Sequence, residues 1–109
     1  MATVRKVLGQ VAPSAASLTT LYTVPAATST VVSTLTAANT GTAATKFRVA
    51  IRVAGAAVDV KDYLYYDVEV GAGDTFAATC GWTLAATDVV SVYATAATVS
   101  FALFGEETA

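Results

Sequence analysis

The most constraining feature of the sequence is a strict alternation of polar and apolar residues over eight positions. In order, these are Lys46, Phe47, Arg48, Val49, Ala50, Ile51, Arg52 and Val53. A period of two places successive side chains on opposite faces of a β-strand, one facing the core and one facing water. We therefore predict a strand with an apolar inner face. Half of the six basic residues of the chain lie on its outer face.

The composition predicts one compact domain with few surface charges. Of 109 residues, 55% are apolar and only 13% are charged, whereas about a quarter are charged in an average soluble domain. Residues 1–109 are expected to form a single domain with its own core. A surface rich in Ala and Thr favours a subunit that packs against neighbours. The net charge of −2 argues against nucleic-acid binding, which depends on clustered Lys and Arg.

Short segments rich in β-branched and aromatic residues recur along the chain, each bounded by turn residues. The predicted strands are Thr3–Val11, Leu18–Val24, Thr30–Ala38, Lys46–Val53, Tyr63–Val70, Thr75–Cys80, Val89–Thr95 and Val99–Phe104. About eight strands without a helical period predict an all-β fold. The expected architecture is an antiparallel β-sandwich, either immunoglobulin-like or jelly-roll-like.

Four predictions concern individual segments at the ends and turns of these strands. Residues 1–12 are either an N-terminal arm or an edge strand. The segment Gly81–Leu84 either continues the sixth strand or turns. Gly105 is expected to end the regular structure, and the short link Ala96–Thr98 allows the last two strands to form a hairpin.

The same alternation predicts which side chains face the core. On the strand Tyr63–Val70, the residues Tyr63, Tyr65, Asp67 and Glu69 are expected to face outward. The predicted inward set is Phe47, Val49, Ile51, Val53, Leu64, Tyr66, Val68, Val90, Val92, Phe101 and Leu103.

The residue types argue against an enzyme or a metalloprotein. The chain has no histidine and one cysteine, Cys80, which excludes a histidine base, the usual nucleophilic triads and the usual zinc ligand sets. We therefore expect no catalytic residue, no cofactor and no metal ion, with Cys80 as a small buried apolar residue. A calcium site built from Asp59, Asp62, Asp67 and Glu69 is the weaker alternative, since their spacing matches no EF-hand loop.

The N-terminus does not resemble a signal peptide. Its apolar run, Val7–Ala12, is short and is interrupted by Gln10. No window approaches the roughly 18 apolar residues of a membrane span. The chain is expected to be made in the cytoplasm and to interact with no membrane.

Charged and aromatic side chains predicted to face outward are the candidate interface residues. They are Arg5, Lys6, Lys46, Arg48, Arg52, Tyr63, Tyr65, Trp82, Glu106 and Glu107. Paired outward tyrosines favour a subunit interface, with ordinary sheet packing as the simpler interpretation. The charges are either solvated or paired with groups of opposite sign on a partner. A sugar-binding surface formed by Tyr63, Tyr65 and Trp82 is a more remote alternative.

Several stretches of the chain resemble a known class of proteins. They are Leu21–Pro25, Ser29–Leu35, Phe47–Ile51, Asp62–Asp67, Ala85–Ala94 and Phe101–Glu107. Together they resemble small virion structural proteins of tailed bacteriophages. These motifs are strands and turns, so the resemblance implies a fold more firmly than a place in the particle.

The resemblance implies a non-enzymatic β-sandwich protein of the phage virion. A capsid decoration, or cement, protein that bridges and stabilises coat subunits is the first expectation, with the major capsid protein as partner. A tail, baseplate or fibre component is the alternative, and a carbohydrate-binding module is more remote. A homo-oligomer is expected, with a trimer suiting three-fold positions of a capsid and residues 3–11 as the arm that reaches a neighbour.

Overall fold

The computed structural model describes residues 2–109 and shows an all-β protein. Its strands are β1 (Thr3–Val11), β2 (Thr19–Thr23), β3 (Ser29–Asn39), β4 (Thr45–Arg52), β5 (Tyr63–Val70), β6 (Thr75–Leu84), β7 (Val89–Ala94) and β8 (Val99–Thr108). Two short 3₁₀ turns, Val53–Gly55 and Val60–Asp62, lie between β4 and β5. Residues 2–109 contain no helix long and apolar enough to cross a membrane.

The strands form two antiparallel four-stranded sheets that pack face to face. The first sheet has the order β1-β8-β3-β6 and the second the order β2-β7-β4-β5. Strands from the two halves of the chain therefore pair 1 with 8, 2 with 7, 3 with 6 and 4 with 5. This is the arrangement of a double-sheet jelly roll and not that of an immunoglobulin domain. The predicted β-sandwich is confirmed, in its jelly-roll form.

The core lies between the sheets and is made mainly of aliphatic side chains with one aromatic cluster. Fully buried side chains include Val32, Leu35, Phe47, Val49, Val90, Val92, Val99, Phe101 and Leu103. Phe47 is at the centre of the aromatic cluster, since its ring centroid lies 5.2 Å from that of Phe76 and 5.8 Å from that of Phe101. The predicted inward positions on β7 and β8 are confirmed.

A buried amide joins the two sheets at one end of the sandwich. Asn39, the last residue of β3, donates hydrogen bonds to the carbonyl oxygens of Ala43 at 2.8 Å and Val70 at 3.1 Å. Its own oxygen accepts from the Gly41 amide and the Thr98 hydroxyl, both at 3.0 Å. All of its polar atoms are therefore satisfied, as burial requires.

The C-terminal part of the fold differs from the prediction in two places and decides between the two alternatives at Gly81–Leu84. β7 and β8 lie in different sheets, so they do not form a hairpin, and Ala96–Thr98 crosses from one sheet to the other. β8 continues through Gly105 to Thr108 because it is paired on both sides, with β1 and with β3. β6 likewise continues through Gly81 to Leu84, held along that length by β3.

The predicted alternation fails on β5 because this strand contains two β-bulges. Phe47 pairs with Val68 and Val49 pairs with Tyr65, so two residues of β5 lie opposite one residue of β4. One of them, Asp67, has a φ of 53°. A second register shift follows between Val49 and Ala50. Each extra residue changes which face the next side chains occupy.

These bulges reverse several predicted orientations. Tyr65, predicted to face outward, packs in the sandwich with its ring 5.2 Å from that of Phe76. Leu64 and Tyr66, predicted to face inward, are 45% and 58% exposed. Tyr63 pairs with Ala50, which is on the same face of β4 as Arg48 and Arg52. The two tyrosines on this outer face are therefore Tyr63 and Tyr66.

The predicted inner face of β4 is correct at its start and wrong at its end. Phe47 and Val49 are fully buried, and Ile51 is partly buried against the core. Val53 is 67% exposed because β4 ends at Arg52 and the chain enters a 3₁₀ turn there.

The stretch predicted to be either an arm or an edge strand is ordered at the edge of the first sheet. Residues 3–11 pair with β8 as β1, while Met1 lies outside the described residues. Gly9 allows β1 to approach the second sheet, because a Cβ there would overlap the carbonyl oxygen of Leu21 in β2.

Candidate interaction surfaces

The N-terminal and C-terminal charges that the sequence offered as interface residues pair with each other. β1 and β8 are antiparallel neighbours, and Arg5 lies directly opposite Glu106. Arg5 Nε is 3.3 Å from Glu106 Oε2, and Lys6 Nζ is 3.0 Å from Glu107 Oε1. The first pair is exposed and contributes little to stability.

The second pair belongs to a partly buried network that links the two sheets. The Tyr22 hydroxyl on β2 donates to Glu107 Oε2 at 2.5 Å and lies 2.8 Å from Thr30 Oγ1. Because a phenol has one hydrogen, Thr30 donates to Tyr22 in this arrangement. The hydrogen bonds from Tyr22 and Lys6 lower the pKa of Glu107, and desolvation together with Glu107 raises the pKa of Tyr22 to about 12.

This network predicts a loss of stability at both ends of the pH range. The lowered Glu107 pKa stabilises the fold above the ordinary glutamate value of about 4.3, and this contribution disappears as pH falls through the lowered pKa. The raised Tyr22 pKa contributes stability below about 10, which is lost as pH rises towards about 12. Thermal unfolding between pH 3 and pH 7 is expected to show a smaller decrease for Glu107→Gln than for wild type. Glu106→Gln, which changes only the exposed pair, is the matched control, and an identical acid profile for all three proteins would contradict the assignment.

Arg48 is held by an acid and two aromatic rings on the outer face of the second sheet. Its Nε donates to Asp67 Oδ1 at 2.7 Å, and its Cζ lies 4.2 Å from the Tyr66 ring centroid and 4.4 Å from that of Tyr93. The ion pair raises the pKa of Arg48 and lowers that of Asp67. This geometry suits a guanidinium, which is planar and stacks on rings. The bulge at Asp67 places this carboxylate where Arg48 reaches it.

The other basic residues of β4 have different environments. Arg52 Nε donates to Ser91 Oγ at 3.1 Å, and its Nη1 lies 3.3 Å from the carbonyl oxygen of Ala56. Arg52 therefore fastens the loop after β4 to the outer face of the sheet. Lys46 is exposed and lies opposite Glu69 of β5 in the register.

The predicted aromatic platform is not formed by the three residues expected. Tyr65 and Trp82 pack against the core with ring centroids 6.3 Å apart, while Tyr63 is on the outer face. Tyr63 instead meets Tyr66, with ring centroids 5.0 Å apart and planes at 83°. These two rings and Val60, which is 85% exposed, line a shallow depression of about 370 Å³. The β5 bulges account for the positions of Tyr65 and Tyr66 and leave no alternation signal in the sequence. Trp82 faces inward because it pairs with the buried Val32 of β3.

The largest candidate surface is one that the sequence did not single out. Its members are the outward residues of the first sheet, and we call it the small-residue face. It comprises Thr3, Arg5, Val7, Gln10, Ser29, Val31, Thr34, Thr36, Ala38, Thr75, Ala77, Thr79, Thr83, Ser100, Ala102, Phe104, Glu106 and Thr108. Arg5 and Glu106 are its charged members in the described chain, and they pair with each other.

A groove crosses this face where its largest apolar side chains lie. Val7, Val31 and Phe104 line it, with the Arg5–Glu106 pair at one side, and its volume is about 640 Å³. Val7 and Val31 are 48% and 40% exposed. The alternation of Thr, Ser and Ala on β3 and β6 is the signal that could have located the face. A broad surface depleted of charge is typical of the centre of an interface.

The acidic residues considered for calcium are engaged in local structure. Asp59 and Asp62 form a capping box around the second 3₁₀ turn, and Asp67 pairs with Arg48. Over residues 2–109 the structure contains no group of three or more acidic or Cys side chains placed to hold a metal ion. Cys80 is a free, half-buried thiol whose pKa is raised by burial.

No model of a known protein family matches the chain, and no curated protein matches it significantly.

Proposed function

We propose that the chain is a non-enzymatic structural subunit of a bacteriophage virion, and that it decorates the capsid by binding coat subunits through the small-residue face. The observation that carries the proposal is this face, a four-stranded surface whose two charges neutralise each other. The resemblance of the strands to those of phage virion proteins is the reason for proposing a phage particle as the location. The jelly roll supports it, because this fold recurs in viral capsid proteins, although a fold alone does not determine function.

The size of the small-residue face suits attachment to a large assembly. Four strands about 4.8 Å apart and about ten residues long give a surface of roughly 15 by 33 Å. This is on the order of 500 Å² for one partner, somewhat less than the roughly 800 Å² of a standard interface.

A tail, baseplate or fibre position uses the same face and the same chemistry, so it stays the alternative within the virion. Carbohydrate binding has less support, because Tyr65 and Trp82 point into the sandwich and only Tyr63 of the proposed platform is outward. The major capsid protein is the proposed partner in the first case.

Rebinding to particles tests the proposal. Particles of the encoding phage that lack the chain are mixed with purified protein and sedimented, and the bound protein is quantified. We expect wild type to co-sediment to saturation, and Ala102→Glu, which places a charge at the middle of the small-residue face, to lose at least tenfold in affinity. This is about 1.4 kcal/mol.

A matched variant separates the effect of the position on the small-residue face from the effect of adding a charge. Thr20→Glu places the same side chain at an exposed position of β2 in the second sheet. This variant is expected to bind like wild type. Binding of Ala102→Glu at wild-type affinity would reject this face as the attachment surface. Failure of the wild-type protein to bind any particle would reject the virion proposal itself.

A further inference from the structure

One edge strand of the sandwich is long and has one protective feature, a register shift in its ladder with β3 between Val32 and Thr34. β6 runs for ten residues, Thr75–Leu84, without a charge or a proline. The other edges are more strongly protected: β1 carries Arg5 and Lys6, β5 carries two bulges and two acids, and β2 has only five residues. Long uncharged edges pair readily with another strand.

The side of the sandwich along β6 is also incompletely closed. Five side chains along this side are only partly buried and pack against the core, and we call them the open flank. They are Phe76, Cys80 and Trp82 of β6 and Tyr65 and Val68 of β5. Inward residues on the neighbouring β3, such as Leu35 and Ala37, are fully buried. The open flank therefore leaves apolar surface in water directly beneath this long, uncharged edge.

We propose that two copies of this chain pair through β6, antiparallel and about a two-fold axis at Thr79. Exposure alternates along β6, with odd-numbered residues outward and even-numbered residues inward. Paired residues in an antiparallel ladder share a face, so the axis at Thr79 keeps this alternation in register. The same register pairs Thr75 with Thr83 of the second copy.

On the inner face this register places Phe76 opposite Trp82 of the second copy. Aromatic cross-strand pairs and Thr–Thr pairs both favour antiparallel association. A strand without charge meets no repulsion when it pairs with itself, which a two-fold contact requires. The two open flanks meet beneath the joined sheet, so the apolar side chains left half-exposed in one copy are covered by the other.

Pairing extends the first sheet from four strands to eight and sets two small-residue faces side by side. The contact is about 30 Å long, and its width is about 10 Å, the distance between the two packed sheets. This is a small footprint, so the dimer is expected to be weak in solution and concentration-dependent. The inference does not rest on the proposed function, since it concerns the isolated chain.

Sedimentation of the full chain from micromolar to millimolar concentration tests the pairing. Wild type is expected to shift from monomer to dimer. Thr79→Lys, which sets two ammonium groups face to face at the axis, is expected to weaken dimerisation at least tenfold at an unchanged melting temperature. Thr23→Lys, the same change at an exposed position of edge strand β2, is expected to dimerise like wild type. A monomer at every concentration, a trimer, or a Thr79→Lys protein that dimerises normally would each overturn the proposal.

Disulfide trapping tests the register independently of affinity. In a Cys80→Ala background, Thr79→Cys is expected to give a covalent dimer under mild oxidation, since residues facing each other across an antiparallel ladder have Cα atoms about 4.5–5.5 Å apart. Thr75→Cys is the control, because the two copies of residue 75 are about 26 Å apart along the strands in this register. Equal trapping at both positions, or trapping only at position 75, would overturn the two-fold register.

Discussion

Phe47→Ala is expected to lower the free energy of unfolding by about 3–5 kcal/mol, a large part of the roughly 5–15 kcal/mol typical of a domain. The Phe47 ring is fully buried and contacts rings from three other strands. Truncation to a methyl group removes these contacts and leaves a cavity that Tyr65, Phe76 and Phe101 cannot fill without moving. Denaturant unfolding followed by tryptophan fluorescence and circular dichroism measures the loss.

Leu64→Ala is the matched control for this prediction. The alternation of the sequence places Leu64 in the core, whereas the structure leaves it 45% exposed on the bulged strand β5. We expect its truncation to change stability by less than about 1 kcal/mol. A cost at Leu64 equal to that at Phe47 would contradict the bulged register of β5.

Gly105→Ala is expected to cost about 1–3 kcal/mol or more, although it adds only one methyl group. A Cβ at this position would overlap the carbonyl oxygen of Val31 and lie 3.0 Å from the Leu8 side chain. Gly105 is on β8, paired on both sides, so the backbone has no free direction in which to move. The melting temperature and denaturant midpoint should both decrease.

Gly81→Ala separates this steric effect from the general effect of replacing a glycine in a strand. Gly81 lies within β6, and a Cβ there has no heavy atom within 4 Å. We expect its replacement to leave stability unchanged or to raise it by about 0.4–1 kcal/mol, since alanine restricts the unfolded chain. Equal destabilisation by the two substitutions would show that the contact with Val31 is not the cause.

The strands could be predicted from the sequence because alternation and turn residues are local signals. Thr3–Val11 and Tyr63–Val70 have the predicted bounds, and Phe47 and Val49 have the predicted orientation. Tyr65 and Leu64 do not, because a β-bulge changes the face of a side chain through pairing with a distant strand. The choice between jelly roll and immunoglobulin topology depends on the same non-local pairing.

The candidate site was less predictable for a related reason. Arg5 and Glu106 are 101 positions apart in the sequence, and only the pairing of β1 with β8 brings them together. Arg48, a charged residue predicted from the sequence to be available to a partner, forms an ion pair with Asp67 of the same chain. The small-residue face combines four strands from the whole chain, so the alternation of small residues on β3 and β6 could have located only part of it.

The most direct test of the proposed function is electron cryomicroscopy of purified particles of the phage that encodes this chain. We predict a sandwich-shaped density on the capsid, oriented with the small-residue face, including Thr36 and Ala102, against coat subunits. Density at the tail would select the alternative position in the virion. Purified particles that lack the chain, or density that binds through the Arg48–Tyr93 face of the second sheet, would contradict the central claim.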